Sequence, residues 1–396
     1  MGLLKSQLTT LSGGSTNSPV DPNLTLDLEF SSMTVLPASV TFTRASIGTY
    51  FDSNGVLQTA LAGAARFDHD PVTLEPLGLL IEEARTNALP YSLDCFTGWT
   101  GSLVPTINST VSPDGTASAT LFTATGANQN WFRATSIAAG DTYTFSAFVK
   151  RKTGVGVVQM QCAGAGYTAV PVTDIWTRVS VTAAVTAGSK NSVFQINTAG
   201  DEVWIWGAQL EAGAFPTSYI PTTSAAVPRS ADNARMTGVD FSSWYDPLKG
   251  TVLIKAQALI NPAYPAVWAI GKGAGLGNML LSQGSPNGRL LGELRDDSGT
   301  SQVNFFSGLT LSDRQPFLAA LAYATDDAGF AVNGVSMPRD NSVIVPTGML
   351  SMSLGNKLAA QASAGAFDTT RIAFLKYWNV AKTDAELQEI TNPAKY

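Results

Sequence analysis

One stretch, VWIWGAQLEAGAFPTSYIPT from Val203 to Thr222, constrains the chain more than any other. Val203 and Ile205 alternate with Trp204 and Trp206, so the segment reads as a strand covered on both faces. Gly207 and Gly213 bracket a polar turn, and Pro216 and Pro221 frame an extended exit. A long series of strand-like segments precedes it, and a polar stretch leads from it to a second β-rich region. It therefore reads as the closing strand of one β domain and the entrance to the next.

The rest of the chain has the same character. Between residues 90 and 222, SATLFTAT, NWFRATSI, DTYTFSAFVK, GVGVVQMQCA, WTRVSVTAAV and NSVFQINTA recur with Gly, Asn, Asp and Ser between them. That rhythm is the spacing of an antiparallel sandwich or jelly roll, and no helix-length period interrupts it. After residue 247, TVLIKAQALI sets Val252, Ile254, Ala256, Ala258 and Ile260 on one face. Further strands follow, with a hairpin expected at Asn333-Gly334. Near the end, Thr383 with Glu386 forms a capping box that starts one short helix.

The start of the chain is less regular. Leu4, Leu8 and Leu11 have seam spacing for barely one heptad, which fits a short docked helix or arm. Ser12-Gly13-Gly14-Ser15 and the prolines at 19 and 22 read as linker. LTLDLEF then alternates from Leu24 to Phe30, and Asn54-Gly55 is a two-residue hairpin signal. The expected fold is all-β: two tandem antiparallel β-sandwich (jelly-roll) domains, with a short N-terminal arm and a loop-rich N-terminal subdomain. The expected boundaries are 1–25 for the arm, 26–89 for the loop-rich unit, 90–222 for the first sandwich, 223–246 for a connector and 247–396 for the second.

Composition narrows the function. Only 14% of the 396 residues are charged and the net charge is −6, with no basic cluster, which argues against a nucleic-acid partner. No window has the apolar length of a membrane span, and no sustained apolar run follows Leu3-Leu4-Lys5 to make a signal peptide. One bridge between Cys95 and Cys162 is open, but two isolated thiols equally suit a chain assembled inside a cell. His69 is the sole histidine, which excludes a His-based metal cluster and reads as a turn residue between Asp68 and Asp70. No Gly-rich phosphate loop is present. No catalytic residue, metal ligand or cofactor is assigned, and Asp296-Asp297 and Asp326-Asp327 read as turn residues before calcium ligands.

Two sets of residues stand out. Arg44, Arg66, Glu82, Glu83 and Arg85 are dense for so uncharged a chain, and are expected to pair with one another or with backbone to fix loops. The second set is aromatic: Trp99, Trp131, Phe132 and Tyr167 in the first sandwich, with Trp244, Tyr245, Tyr264 and Trp268 after it. They flank loops, where an exposed ring can stack on a sugar, although packing competes for every one of them. Trp99, Trp131, Tyr167 and Trp268 are the candidates for glycan contact.

TRASIGTYFDSNGVL (43–57), ARFDHDP (65–71), GLLIEEARTNAL (78–89) and the closing 203–222 stretch, in that order, resemble the head-spike or fibre domain of bacteriophage structural proteins. The resemblance covers about residues 26–222 and includes Arg44, Arg66, Glu82, Arg85 and Asn87 among its motif positions. The 90–222 sandwich resembles a carbohydrate-binding module. The remainder resembles a concanavalin A-like (laminin-G-like) jelly roll, on its strand rhythm and the final AKTDAELQEI. The resemblance implies a virion protein on the particle surface, a head spike, fibre or decoration subunit. It also implies a homotrimer, attachment to other virion proteins through the N-terminal arm, and possible adhesion to a host cell-surface glycan. The alternative is a tail fibre or receptor-binding adhesin. A polysaccharide depolymerase fits less well, because neither a β-helix repeat nor an isolated carboxylate pair is evident.

Overall fold

The computed structural model describes residues 21–138, 140–258, 266–272, 277–284, 288–312, 314–355 and 369–396. Among the described residues strands dominate, every ladder is antiparallel, and two sandwiches carry nearly all of them. None of its helices is long and apolar enough to cross a membrane, among the described residues.

The first sandwich lies within residues 100–212. One five-stranded sheet runs Thr177–Val185, Asp141–Thr153, Glu202–Ala212, Ala119–Thr123, Val104–Thr110. The facing sheet runs Tyr167–Val170, Val158–Gln161, Gly188–Ile196, Gln129–Ile137, Thr100–Gly101. Period-two alternation sends Phe122, Phe145, Phe194, Ile205 and Leu210 into the space between them. The strand expected to be covered on both faces is central: Val203 and Ile205 fill the core, while Trp206 packs outside it with Phe148, Tyr219 and Leu57. Gly207 holds φ +65° where Phe148 and Tyr219 crowd the backbone, room that a side chain would take.

The second sandwich is built from both ends of the chain. Lys249–Ala258 pairs with Thr370–Trp378. The same eight-stranded sheet also takes in Leu24–Leu28, Phe67–His69 and Pro76–Ile81. Leu24 lies opposite Trp378, and Leu80 opposite Arg371. In the facing seven-stranded sheet, Asn233–Thr237 sits between Thr41–Thr43 and Ser351–Leu354. The expected loop-rich unit (26–89) and connector (223–246) thus supply strands to the sheets of the 247–396 segment. The reason is apolar area: Leu79, Ile81, Ala234 and Met236 find their burial in that core. Each fully buried large side chain there contributes about 1.5–3 kcal/mol. In sequence, the first sandwich is an insertion between two parts of the second.

Local signals resolve in three ways. Asn333 and Gly334 both have positive φ, 47° and 81°, and form the expected tight turn between Asp327–Val332 and Val335–Ser336. At Asn54-Gly55 the hairpin is looser: Gly48–Phe51 pairs with Leu57–Ala60, and Asp52 organises the intervening loop by accepting from the Asn54 and Val56 amides. The capping box is made in full, with Thr383 and Glu386 bonding reciprocally at the start of Asp384–Ile390. Val252, Ile254 and Ala256 face the main core. Ile260, the side chain of Ala258 and the Leu4, Leu8, Leu11 seam lie outside what is described.

Candidate functional site

The charged motif residues converge where the two sandwiches meet. Arg66, fully buried, donates through Nη1 to Glu82 Oε2 at 2.7 Å, to the Thr49 carbonyl at 2.9 Å and to Ser218 Oγ at 2.8 Å. Its Nη2 donates to Asp232 Oδ2, and Asp232 Oδ1 accepts from Arg44 Nη1 at 3.0 Å. Arg229 completes the knot on Glu82 Oε2, while Glu82 Oε1 accepts from the Ser218 amide at 2.6 Å. Burial alone pushes the Glu82 carboxyl up; the Arg229 and Arg66 guanidiniums, with Ser218, outweigh it and hold it well below the usual carboxylate range. Arg85 pairs with Glu83 and lies over the Phe215 ring at 4.8 Å. Asn87 accepts from the Leu89 and Leu210 amides at 3.1 Å and donates to the Ile220 carbonyl at 2.9 Å.

These contacts fix loops; Arg44, Arg66, Glu82, Asn87, Arg229 and Asp232 are buried, while the Arg85–Glu83 pair is partly exposed. Arg229, Asp232 and Ser218 were not singled out from the sequence. The signal available was weak: Arg229, Asp232 and Arg235 crowd a short polar stretch of an otherwise uncharged chain.

The aromatic candidates need correction. Trp268 is 1% exposed and sits in the main core. Trp99 is buried against Phe194, ring to ring at 5.7 Å. Trp131 is buried too, stacked beside Phe96, with Nε1 donating to the Cys95 carbonyl at 2.9 Å. Trp244 and Tyr245 pack into the main core, Phe132 is half-buried, and Tyr264 lies outside the described residues. Large rings near loop ends serve as core lids here, because sandwich edges need bulky side chains to exclude water. Tyr167 alone of the four glycan candidates is exposed, at 41%, on the edge strand Tyr167–Val170.

A cleft of about 900 Å³ opens beside the charge knot, between the Gly48–Phe51 hairpin, the 68–72 turn, residues 174–178 of the first sandwich and the start of Thr370–Trp378. Its floor carries an ion pair: Arg371 Nε donates to Asp68 Oδ2 at 2.6 Å, and Asp68 Oδ1 accepts from the Phe51 amide at 2.8 Å. Asp70 accepts from the Val72 and Thr73 amides, both at 2.8 Å, which fixes the turn. Burial pushes the Asp70 carboxyl up, but the Thr73 and Val72 amides, with the Thr73 side chain and Arg371, together outweigh it and hold the group below its ordinary value. His69 Nδ1 lies 3.2 Å from the Phe51 carbonyl; a carbonyl only accepts, so the ring proton belongs on Nδ1.

The first sandwich supplies the opposite wall. Trp176 is half-buried, with Nε1 donating to the Val111 carbonyl at 3.0 Å, and Asp174 beside it is exposed. Arg178 donates to Ser146 Oγ at 3.0 Å and to the Thr217 carbonyl; burial pulls its guanidinium down to about 10. Lys150 Nζ lies 5.7 Å from the Trp204 ring centroid. Three apolar side chains at the cleft, Val72, Val111 and Ile175, are more than half exposed. Fixed polar groups therefore alternate with exposed apolar surface, an arrangement that orients a ligand by hydrogen bonds and covers its apolar faces.

The aspartate pairs hold turns. Asp296 accepts from the Ser298 and Thr300 amides and from Gln302. Asp297 pairs with Lys272 and Thr347, and Asp327 with Arg339. Among the described residues, no group of three or more His, Cys, Asp or Glu is arranged to hold a metal. Cys95 and Cys162 are both free and buried.

No sequence family and no curated protein matches the chain. Solved structures with similar parts include the CBM40 of Ruminococcus gnavus IT-sialidase bound to α2,3-sialyllactose, 18% identical over 39% of this chain and 87% of that one, TM-score 0.34. The NanB sialidase of Streptococcus pneumoniae is 14% identical over 40% of this chain, which spans 27% of the sialidase, TM-score 0.35. A SAP-like pentraxin of Limulus polyphemus is 11% identical over 35% of this chain and 68% of that one, TM-score 0.30.

Proposed function

We propose that the protein binds carbohydrate in the cleft between its sandwiches and serves as a surface subunit of a bacteriophage particle, a head spike, fibre or decoration protein. The observation that carries the binding reading is the cleft itself. Trp176 and the exposed faces of Val111 and Ile175 lie beside Asp174, Asp70, Lys150 and Arg371. A sugar ring offers the complement, C–H faces for the apolar groups and hydroxyls for the charged ones. The virion reading is supported by the ordered motifs of residues 43–89 and 203–222, of which Arg44, Arg66 and Glu82 enter the central knot. A homotrimer attached through its N-terminal arm fits that reading, since closed symmetry is the common solution for surface subunits.

The test is a screen of purified protein against bacterial O-antigen and capsular polysaccharides, with Trp176→Ala and Asp174→Asn beside the parent chain and free reducing ends followed in parallel. Saturable binding that both substitutions weaken, without new ends, is the expected result. Binding unaffected by either would move the site elsewhere, with exposed Tyr167 the next position to change. Release of new ends would replace adhesion by depolymerisation. Antibody labelling of purified particles and light scattering check the virion location and the trimer; a monomer at micromolar concentration counts against the latter.

A further inference from the structure

The cleft continues beyond the wall that bounds it. A second depression, of about 660 Å³, lies beside it along the eight-stranded sheet, and the two share Leu77, Gln257 and Arg371. Either lobe alone falls within the range of a whole small-molecule pocket, roughly 300–1,000 Å³, and the two joined exceed it. We propose that the two lobes form one groove for a linear oligosaccharide of several units, with Arg371 and Gln257 gripping its middle. This rests on the carbohydrate reading of the cleft.

Three observations favour an extended saccharide. First, the seam residues have hydrogen-bonding capacity to spare. Arg371 commits its Nε to Asp68, while its two terminal nitrogens make no hydrogen bond among the described residues. Gln257 is half-buried, and its side-chain amide likewise takes no partner among the described residues. Second, each lobe has an aromatic ring available: Trp176 in the cleft, and Tyr396 in the second lobe. Tyr396 is 48% exposed and backed by Phe374 at 5.0 Å between centroids. Lys255 Nζ donates to the Tyr396 carbonyl at 3.0 Å and steadies that end. Rings spaced along a groove, with polar groups between them, suit successive sugar units.

Third, the strands beneath the groove exclude the usual alternative. Lys249–Ala258 is hydrogen-bonded to Pro316–Ala324 on one side and Thr370–Trp378 on the other, and Thr370–Trp378 in turn to Pro76–Ile81. An extended peptide that recognises a sheet by adding a strand needs a free edge, and these interior strands have none. A saccharide docks on side chains and needs no edge.

The experiment is calorimetric titration of the full chain with mono-, tri- and hexasaccharide fractions of hydrolysed bacterial O-antigen and capsular polysaccharide. Affinity is expected to tighten by about tenfold or more from mono- to hexasaccharide. Tyr396→Ala and Gln257→Ala lie at exposed or half-exposed positions, and their folding is checked by an unchanged melting temperature. Tyr396→Ala is expected to remove most of that gain while leaving monosaccharide binding as it was. Gln257→Ala, at the seam that both lobes share, is expected to lower hexasaccharide affinity more than monosaccharide affinity, and Trp176→Ala to weaken every length. Equal affinity for all lengths, or a Tyr396→Ala loss that is the same for all lengths, overturns the extended groove and leaves the cleft standing. Absence of binding at every length overturns the carbohydrate reading itself.

Discussion

A carboxylate sealed from water keeps its charge only where cations and donors surround it, and Glu82 has Arg66, Arg229 and the Ser218 amide and hydroxyl. Replacing it with Gln leaves two buried guanidiniums without their shared anion. Glu82→Gln is expected to cost about 3–5 kcal/mol, read as a lowered denaturant midpoint. The pH dependence follows from the same contacts. The folded-state value lies below the ordinary 4.5, so the contribution is complete above 4.5 and is lost as pH falls through the folded value. Stability should therefore drop as pH is lowered below 4.5, and Glu82→Gln should flatten that part of the profile. The cysteines make a second residue-scale test. Burial pushes the Cys95 thiol up to about 12 and the Cys162 thiol up to about 11, so neither is a nucleophile near neutrality. Both should resist a maleimide reagent in the folded protein and react with it once denaturant is added; labelling of the native chain would contradict their placement.

Among the elements, the strand Pro76–Ile81 decides how the first part of the chain joins the last, because it pairs with Thr370–Trp378. Gly78 within it has φ +89°, and a Cβ there would collide with the Ile372 carbonyl and the Ala373 backbone across the ladder. Gly63 has a similar φ of +75° in an open loop with nothing near. Gly78→Ala should therefore destabilise by more than Gly63→Ala, whose cost is backbone strain alone, about 1–3 kcal/mol. Parallel thermal melts of the two variants check the ordering. Much at this scale was legible in the sequence: the alternation of 203–206, the Asn333-Gly334 turn and the Thr383 capping box act through neighbours a few residues away. The Asn54-Gly55 loop departed from expectation because Asp52, two residues earlier, offers its carboxylate to the loop amides and competes with the tighter turn.

For the molecule as a whole, what matters is that the second sandwich draws strands from both sides of the inserted one. Residues 247–396 produced alone would leave Thr370–Trp378 without Leu24–Leu28 and Pro76–Ile81, and Ser351–Leu354 without Asn233–Thr237. That fragment is expected to be insoluble, or to bind a hydrophobic dye as an open sheet does; a cooperative melt from the isolated fragment would contradict it. The same topology makes the cleft. One wall comes from the hairpin and turn of residues 48–72, another from residues 174–178, and the floor from residues 369–371. The first sandwich is tied to the segments around it by Asn87, which bonds to the Ala208 carbonyl and the Leu210 amide, and by Arg178 and Glu211, which bond to Thr217.

By itself the sequence determined that the chain is all-β, where most of its strands and turns fall, and that Arg44, Arg66, Glu82, Glu83 and Arg85 form an unusually dense charged group. Those properties depend on side-chain alternation, local turn chemistry and charge density, all of which are written in consecutive residues. The tertiary structure alone decided which strands share a sheet, which aromatic rings reach water and where a cleft lies. Trp268 and Trp176 look alike in sequence, yet one closes a core and the other lines a cleft. Burial is set by segments more than a hundred residues away: Arg371 meets Asp68, and Glu82 meets Arg229, only after the chain has returned on itself. No local pattern records such a meeting, because strand pairing of this kind is chosen by the total apolar area the fold can bury.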